Sequence, residues 1–372
     1  MTQIGATDRH ADVDAGGIEI GVITFAEMFP AEGAGNAPTA GERLQQVLRE
    51  AQAAETAGLA VYGVGEHHRP DFAVSAPAVV LAAIGECTST IRLTSAATVL
   101  GCADPVRVYQ DFATIDLLTG GRAEIIAGSG SFAETPPLFG LSAQESREAY
   151  AENLRLLTQV RDRELVTWAG GRRPAIDGLG IYPRPESPLP IWAAASNNPL
   201  SARLAGELGL PLVLGWFGQP FSALRDLAQA HRGTSHQAGH RRPRLALQTH
   251  GYLARSTEQA ADEYFPAYAA TIARLKSGAK LTREQFDRMC SVGGHLLIGT
   301  SADVADKIQL LHIELGIDRV LVHVSAGAMP HARVLDAIDR LGEVQALLGQ
   351  VVTGAQACRH ARASNHSQVP AE

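Results

Sequence analysis

Eight short apolar runs recur along the chain, and most of them are followed by a stretch with helical periodicity. They occupy residues 18–24, 59–63, 91–99, 123–127, 191–195, 212–214, 245–253 and 320–324. Strands that alternate with helices, about 30 residues apart, are typical of a parallel sheet covered by helices. The count of eight within one domain favours a closed (β/α)8 barrel, the TIM barrel.

Helix signals lie between these runs. Leu44, Val47, Leu48, Ala51 and Ala54 fall at helical spacing, and Gly58 follows as a stop signal. Asp104-Pro105 and Asn198-Pro199 each pair a capping residue with proline at the first helical position. We expect helices over residues 105–118, 143–168, 199–208, 302–315 and 331–348.

A doubly wound open sheet is the rival architecture, but its dinucleotide signature G-x-G-x-x-G is missing. Gly63-Val64-Gly65 is followed by His68 where the third glycine belongs, and Gly128-Ser129-Gly130 by Ala133. We therefore predict a single barrel domain over residues 17–352. The polar segments 1–16 and 353–372 are predicted to be disordered tails.

Charge and composition exclude several classes of protein. A net charge of −7 argues against a nucleic-acid partner, which needs a basic face. Every apolar run is broken before the roughly 18 residues of a membrane span, and the N-terminus lacks the apolar stretch of a signal peptide. The four cysteines are scattered, which indicates reduced thiols. We expect a cytoplasmic enzyme.

Two segments interrupt the alternation of strands and helices. Residues 168–190 are rich in glycine, proline and arginine and are predicted to form a surface excursion before the fifth strand. Residues 264–293 combine helical signal with a polar, glycine-bounded stretch. Such an insertion near a barrel mouth is either a mobile lid or an inert surface loop, and the residues alone leave both open.

The active site of a (β/α)8 enzyme lies just beyond the C-terminal ends of its strands. The residues at these ends are small, hydroxylic, amide-bearing, aromatic or histidine side chains. They include Phe25, Glu27, Met28, Glu66, His67, His68, Thr98, Gly128, Ser129, Ser196, Asn197, Asn198, Trp216, Phe217, His250, His323 and Ser325. This set suits an organic ligand better than a divalent metal, which prefers a ring of carboxylates.

The stretch Gly63-Val64-Gly65-Glu66-His67-His68-Arg69-Pro70 could form a metal site, an acid/base site or a solvated loop. A regular strand points neighbouring residues in opposite directions, so His67 and His68 would not meet one metal ion. No H-E-x-x-H motif is present. Glu66 could orient His67 or form an ion pair with Arg69, and the residues alone do not decide between them.

Ser196-Asn197-Asn198-Pro199-Leu200-Ser201 places amides, a hydroxyl and free backbone N–H groups at a helix N-terminus. The positive end of the helix dipole makes this a candidate phosphate site. Simple N-capping by Asn198 without a ligand is the alternative. Phosphate sites are frequent late in the chain of (β/α)8 barrels.

Several segments together resemble the bacterial luciferase-like flavin monooxygenase family. They are GEHHRPDF, IRLTSAATVLGCADPVRV, GGRAEIIAGSG, PIWAAASNNPLSARLAGELGLPLVLGW, GHLLIGTSADVADKI and LGIDRVLVHV. The similarity runs from Ile18 to Leu348 in the family's order and spacing.

The resemblance implies a barrel that binds reduced FMN delivered by a separate NAD(P)H-dependent flavin reductase. It places His67 beside the reactive flavin carbon, supporting a C4a-peroxyflavin, with Glu66 and His68 as further catalytic residues. It implies a non-prolyl cis peptide at Ala96-Ala97 and a mobile loop in the 264–293 insertion. The other implied cofactor contacts are Thr98, Gly128, Ser129, Ser196, Asn197, Asn198, Ser201 and Trp216.

Where this chain departs from luciferase, light emission from aldehydes is in doubt. Gly128 replaces a reactive cysteine, Ser129 replaces an arginine that grips the phosphate, and asparagines replace the phosphate-site glutamate and serine. We expect the helix N-terminus to carry more of the stabilisation of the phosphate.

The function expected from the resemblance is two-component oxygenation of an apolar or aromatic small molecule by O2 and reduced FMN. Phe25, Glu27, Met28, Phe29 and Phe217 are the expected substrate pocket. Two alternatives are an F420-dependent oxidoreductase that transfers hydride and a non-catalytic flavin-binding relative. The resemblance also implies a homodimer. No metal, nucleic-acid or membrane partner is expected.

Overall fold

A computed structural model of the chain describes residues 17–29, 37–276, 278–327 and 329–366, with side chains to residue 350. The predicted tail 1–16 lies outside these residues. The strands are β1 (Glu19–Thr24), β2 (Val61–Val64), β3 (Arg92–Ser95), β4 (Thr98–Val99), β5 (Ala123–Gly128), β6 (Leu165–Trp168), β7 (Ile176–Gly180), β8 (Ile191–Ala195), β9 (Leu212–Gly215), β10 (Leu245–Leu253), β11 (Leu297–Gly299) and β12 (Arg319–His323).

The helices cover the outside of the sheet. They are α1 (Ala40–Thr56), α2 (Pro77–Glu86), α3 (Pro105–Thr119), α4 (Thr135–Leu138), α5 (Ala143–Asp162), α6 (Pro199–Glu207), α7 (Phe221–Gln237), α8 (Thr257–Leu275), α9 (Arg283–Cys290), α10 (Ser301–Leu315) and α11 (His331–His366). The predicted caps are present: Asp104 accepts hydrogen bonds from Val106 and Arg107, and Asn198 accepts one from Leu200.

Eight parallel strands close into a barrel in the order β1-β2-β3-β5-β8-β9-β10-β12, and β12 pairs with β1 to complete the circle. Each of the eight apolar runs of the sequence supplies one of these strands, so the predicted (β/α)8 barrel is confirmed. β4 adds to the end of β5, β11 adds to β10, and β6 and β7 form an antiparallel hairpin outside the barrel.

Two helix predictions need correction. The helix expected over residues 143–168 ends at Asp162, because Val166 and Trp168 pair with Leu179 and Ile176 in the hairpin. That hairpin is the surface excursion before the fifth barrel strand. The last helix runs to His366 and so enters the range 353–372, where the sequence predicts a disordered tail. The boundary of the domain remains a prediction.

Inward-facing residues of the barrel form layers, because side chains alternate between its inside and outside. The middle layer is apolar and consists of Ile23, Val61, Ala96, Ile126, Trp192, Val213, Ala246 and Leu321. The neighbouring residues of the same strands face the helices and belong to a separate, larger core. Alternation therefore assigns each residue near the strand ends to the interior or to the helix layer.

The N-terminal end of the interior is filled by ion pairs. Arg319, 1% exposed, donates to both oxygens of Glu124 at 2.6 and 3.1 Å and to Glu19 at 2.7 Å. Arg92 and Arg244 also bind Glu19, and Arg319 lies 4.5 Å over the Trp192 ring. Burial alone raises the pKa of Glu124, but Arg319 and Arg92 hold it below its usual value. Both carboxylates are therefore charged at neutral pH.

Removing Arg319 should destabilise the fold. We expect Arg319→Ala to lower the free energy of unfolding by about 3–5 kcal/mol, because it leaves Glu124 buried without its main counter-charge. The measurement is urea unfolding followed by circular dichroism. Arg225→Ala is the matched control, since Arg225 forms an exposed pair with Glu314 and should change stability by about 0.5 kcal/mol or less. Equal effects of the two substitutions would contradict the role assigned to the ion pairs.

Candidate active site

A cavity of about 520 Å³ opens at the C-terminal ends of the barrel strands. It exists because inward positions there are small: Ala96, Gly128, Ala194 and Gly215 all line it. Its other walls include Phe25, Glu66, His67, Phe132, Arg147, Phe217 and Gln248. The volume falls within the roughly 300–1,000 Å³ of sites for small molecules and cofactors.

Nine of the ten predicted cofactor contacts line this cavity. They are Ala96, Ala97, Thr98, Gly128, Ser129, Ser196, Asn197, Asn198 and Ser201. The peptide bond between Ala96 and Ala97 is cis, as the resemblance implies. The sequence therefore locates most of one wall of the cavity.

Trp216, the tenth implied cofactor contact, does not line the cavity. Gly215 and Phe217 face the cavity, so alternation turns Trp216 outward. Its ring is 1% exposed, packs against Phe221 and His295, and donates from Nε1 to the Gln219 carbonyl at 3.0 Å. Phe217 supplies the aromatic surface in its place.

His67 lines the cavity from the loop after β2. Its backbone N–H donates to the Val74 carbonyl at 2.9 Å, and its ring stacks on Phe72 with centroids 4.2 Å apart. Burial lowers the pKa of His67 to about 4, with a smaller contribution in the same direction from His323. The ring is therefore neutral at pH 7. Its Nδ1 is buried and has no hydrogen-bond partner among the described residues.

Glu66 and His68 bind each other and do not contact His67 through a hydrogen bond. Glu66 Oε1 lies 2.8 Å from His68 Nε2, and Glu66 Oε2 accepts the Val99 N–H at 2.8 Å. The sequence left open whether Glu66 orients His67 or pairs with Arg69, and in the structure Glu66 does neither. Glu66 ties the His67 loop to β4, and it lines the cavity. Arg69 binds Asp71 and Glu134 instead.

The predicted substrate residues divide into two groups. Phe25 and Phe217 line the cavity. Phe29 is 3% exposed and packs edge-on against Phe72, and the Met28 backbone binds the Asp71 carbonyl, so neither lines this cavity. Glu27, 2% exposed, instead meets a second cavity of about 1160 Å³ beside α1. Glu27, Met28 and Phe29 therefore do not line this cavity, and their role in a substrate pocket stays a prediction.

Glu27 binds His323 at the end of β12, and the His323 ring meets the ring of His250 on β10 edge-on. Glu27 Oε1 lies 3.1 Å from His323 Nε2, and His323 Nδ1 lies 2.9 Å from His250 Nδ1. His323 is fully buried, whereas His250 is partly exposed. Burial, followed by His323 and His295, lowers the pKa of His250 well below its usual value. The sequence placed both histidines at strand ends but gave neither a role.

The opposite side of the cavity carries groups suited to an anion. Asn198 caps α6, Ser201 lies in its first turn, and both residues line the cavity. Arg147 of α5 lines it too, and its guanidinium forms no ion pair with another described residue. The sequence missed Arg147, because it lies on the outer helix layer and no strand end or motif marks it.

The predicted lid corresponds to the second half of α8, the following loop and α9. Tyr268 of α8 binds His295 through its hydroxyl at 3.1 Å and contacts the His250 ring edge-on. Arg274, near the end of α8, binds Asp71 in the loop that carries His67 at 2.6 Å. This segment therefore contacts His250, His295 and the loop that carries His67. Whether it moves stays a prediction.

The described part of the chain contains neither a candidate metal centre nor a candidate membrane-spanning helix. No cluster of three or more histidine, cysteine, aspartate or glutamate side chains is placed to hold a metal ion there. None of the described helices is long and apolar enough to cross a membrane.

Fold and site together define a (β/α)8 barrel with a cofactor-sized cavity, a neutral histidine in one wall and groups suited to an anion in another. Residues 18–319 match the family described as luciferase-like monooxygenase. The chain belongs to the luciferase-like monooxygenase family.

Curated relatives carry two kinds of activity in their names. The 4-hydroxyprotoasukamycin monooxygenase of Streptomyces nodosus subsp. asukaensis is 33% identical over 213 residues, 54% of this chain and 56% of that protein. An F420-dependent glucose-6-phosphate dehydrogenase of Amycolatopsis mediterranei is 31% identical over 131 residues, 34% of this chain and 39% of that protein. The chain thus spans about half or less of the length of these relatives.

Solved structures share the fold over nearly their whole length. Monooxygenase RslO1 from Streptomyces bottropensis has a TM-score of 0.78 at 22% identity, covering 88% of this chain and 98% of that chain. The oxygenating constituent of 3,6-diketocamphane monooxygenase from Pseudomonas putida, a type II Baeyer-Villiger enzyme in complex with FMN, has a TM-score of 0.69 at 17% identity. It covers 88% of this chain and 97% of that chain.

The buried histidines should make stability fall as the pH is lowered. The pKa values of His67 and His295 are held at about 4 by burial, whereas an unfolded histidine titrates near its unperturbed pKa of about 6.5. The unfolded chain therefore binds these protons first, and stability is lost as pH falls from about 6.5 towards 4. Urea midpoints measured between pH 7 and 5 should decrease.

Replacing one of these histidines tests the cause of this decrease. His295→Gln should reduce the loss of stability between pH 7 and 5, because one buried site no longer titrates in the unfolded chain. His236→Gln is the control, since His236 is exposed on α7 and should leave the pH dependence unchanged. An identical decrease in all three proteins would show that carboxylates, not buried histidines, set it.

Proposed function

We propose that the protein is an FMN-dependent monooxygenase that uses reduced FMN and O2 to oxygenate an apolar or aromatic small molecule. One observation carries the proposal: a single cavity joins an anion site at the α6 N-terminus to a neutral, buried histidine across the barrel. FMN has a phosphate at one end and a redox-active ring at the other, so the two ends of the cavity match its chemistry. The FMN complex of a structural neighbour is consistent with this assignment.

The phosphate would bind where Arg147, Asn198 and Ser201 meet. Pro199 has no N–H and Asn198 already binds the Leu200 N–H, so Ser201 and the guanidinium of Arg147 are the groups left for an anion. The helix dipole adds a favourable field at this end. Arg147 therefore takes the place of the arginine that the sequence lacks at Ser129.

The ring would lie over the strand ends of β3 and β5. Ala96, Ala97 and Gly128 leave a shallow floor there, and Thr98 Oγ1 and His67 Nδ1 are buried atoms without partners among the described residues. Unsatisfied buried polar atoms are rare in native proteins, and two in one cavity indicate that a polar ligand binds there. The residues present thus fit a flavin.

When bound, reduced FMN supplies two electrons to O2, so that one oxygen atom enters the substrate and the other leaves as water. His67 is neutral at pH 7 and can hold one hydrogen bond at Nδ1 without introducing a charge. Phe25, Phe72 and Phe132 surround its ring with centroids 4.2–5.5 Å away and keep water from it. An apolar enclosure is what a reactive oxygen species needs to reach the substrate instead of decaying.

Other parts of the proposal rest on the family resemblance. Reduced FMN would come from a separate NAD(P)H-dependent reductase, the active form would be a homodimer, and the location would be cytoplasmic. The activities named for the relatives also include F420-dependent dehydrogenation. We favour FMN because aromatic residues enclose His67. Oxygenation needs such an enclosure to keep water from a reactive oxygen species, whereas hydride transfer forms no such species.

Arg147 should strengthen the binding of a flavin that carries a phosphate and have no effect on one that lacks it. We expect Arg147→Ala to weaken FMN binding about tenfold or more, because a hydrogen bond to a charged group contributes about 1.5–3 kcal/mol. Riboflavin, which lacks the phosphate, should bind both proteins equally. The measurement is fluorescence quenching on titration of each flavin.

Arg155→Ala is the matched control for Arg147. Arg155 lies two turns further along α5, pairs with Glu207 on the surface and does not line the cavity. Its replacement should leave FMN affinity unchanged. An equal loss of riboflavin affinity in Arg147→Ala would place the phosphate elsewhere, and tighter binding of F420 than of FMN by the unaltered protein would overturn the choice of cofactor.

His67 should control how fast reduced FMN is lost to O2. We expect His67→Ala to release hydrogen peroxide from reduced FMN and air at least about tenfold faster, since tenfold corresponds to about 1.4 kcal/mol in the barrier. Stopped-flow absorbance after anaerobic loading measures the rate, with His236→Ala as control. Identical rates in all three proteins would remove His67 from the chemistry.

A further inference from the structure

The hydrogen bonds that link Glu27, His323 and His250 determine which atom donates and which accepts at each step. Burial on its own raises the pKa of Glu27, but His323 and then Arg43 hold it below its usual value, so the carboxylate is charged. A carboxylate accepts only, and His323 Nε2 at 3.1 Å therefore carries the hydrogen. The Phe25 N–H lies farther from the same nitrogen, at 3.4 Å, and the charged acceptor prevails.

The tautomer of His323 fixes that of His250. In the tautomer with its hydrogen on Nε2, His323 presents an acceptor at Nδ1, so His250 donates from its own Nδ1 across 2.9 Å. The remaining nitrogen of His250, Nε2, then carries a lone pair. No hydrogen bond from another described residue is recorded at that atom. The network therefore ends in an acceptor that is free to take a proton.

His250 faces the same region of the barrel as the cavity. Gln248, two residues earlier on β10, lines the cavity, and alternation turns His250 to the same side one layer nearer the mouth. Its ring meets Phe25 edge-on at 6.4 Å and Phe217 at 5.6 Å, and both of those residues line the cavity. A flat ligand held between the two phenylalanine rings would place its edge against His250.

We propose that Glu27, His323 and His250 form a proton relay that ionises an acidic hydroxyl of the substrate, so that the substrate class is a phenol or an enol. This inference rests on the proposed monooxygenase function and extends it. His250 is the catalytic residue, and His323 and Glu27 are positioning residues. The O–H bond of the substrate breaks, its proton binds His250 Nε2, and the electron pair of that bond stays on the substrate oxygen.

The relay balances the charge that this transfer creates. Burial holds the pKa of His250 well below its usual value, so the imidazolium forms only in direct contact with the substrate anion, and the two charges remain paired. The Nδ1–H of His250 polarises His323, whose own Nε2–H rests against the Glu27 carboxylate. Ser325 supports this arrangement with its hydroxyl 3.3 Å from Glu27 and from His323. A phenolate or enolate carries more electron density on its ring or double bond than the neutral form, which favours attack on an electrophilic oxygen atom.

None of the other described titratable groups around the relay is placed to accept the proton of the substrate. Tyr268 and His295 lie on its outer side and bind each other at 3.1 Å. Arg43 lies on the far side of Glu27 and binds Glu50 at 2.6 Å. His67 stands across Phe25, with ring centroids 4.9 Å apart. His250 is the member of this group that has both a polarising partner behind it and an open nitrogen in front.

Binding of a chromogenic phenol tests the relay without any flavin. The full-length protein is titrated with para-nitrophenol, whose anion absorbs at longer wavelength than the neutral form, and with para-nitroanisole, which has no acidic proton. We expect bound nitrophenol to ionise at a pH about one unit below its value in solution. Nitroanisole should bind at least about tenfold more weakly, about 1.4 kcal/mol.

Three variants separate the relay from simple packing. His250→Gln keeps the size of the side chain and should abolish the shift. Glu27→Gln keeps the hydrogen bond to His323 but removes the charge, so nitrophenol should still bind, in its neutral form. His236→Gln, on the exposed face of α7, should behave like the unaltered protein. Urea midpoints at pH 7 check that each variant is folded.

Two results would overturn the inference. One is a phenolate band that persists in both His250→Gln and Glu27→Gln, and the other is nitroanisole binding as tightly as nitrophenol or neither probe binding. Because no flavin is present, these outcomes are independent of the cofactor. If the protein shifts the nitrophenol spectrum but does not bind FMN, the relay is supported and the proposed function is contradicted. If it binds FMN but does not shift the nitrophenol spectrum, the proposed function is supported and the relay is contradicted.

Discussion

The ion pairs of Arg319 with Glu124 and Glu19 determine what the rest of the barrel can do. These three residues come from β12, β5 and β1, so they tie the neighbouring strands β1 and β12 to β5 on the other side of the barrel. Arg92 and Arg244 complete the charge balance, and Trp192 covers the layer. Buried charges are tolerated only when they are paired in this way. The N-terminal end of the interior is therefore closed.

With one end closed, the opposite end can remain open. The apolar layer above the ion pairs fills the middle of the barrel, and glycines and alanines at the next inward positions leave the cavity. The same alternation then directs Phe25 and Phe217 towards it, and the loop after β2 adds His67. The chemistry of the site thus depends on the register of the strands, since a shift of one residue would exchange Phe217 for Trp216.

Two histidine systems occupy different sides of this opening. His67 is isolated, neutral and enclosed by aromatic rings, with a buried nitrogen that lacks a partner among the described residues. His250 is linked through His323 to a charged carboxylate. The first arrangement suits a hydrogen bond to a bound cofactor, and the second suits removal of a proton. Their different environments allow two imidazoles in one site to perform different tasks.

The barrel and much of the cavity could be predicted from the sequence. Periodicity located all eight strands, and residues next to strand ends, such as Ser129 and Asn198, follow directly from that assignment. The errors concern side-chain direction and distant contacts. The inside or outside position of Trp216 depends on register, Glu66 meets His68 through the turn of a loop, and Arg147 reaches the cavity from a helix. Long-range packing determines each of these, and no local pattern records it.

A crystal structure of the protein soaked with FMN tests the central claim most directly. We expect the phosphate to lie within hydrogen-bonding distance of Arg147 and Ser201. We also expect the ring to lie over the cis peptide of Ala96 and Ala97, with an edge against His67. FMN bound in the cavity beside α1, or a phosphate remote from the α6 N-terminus, would contradict the account.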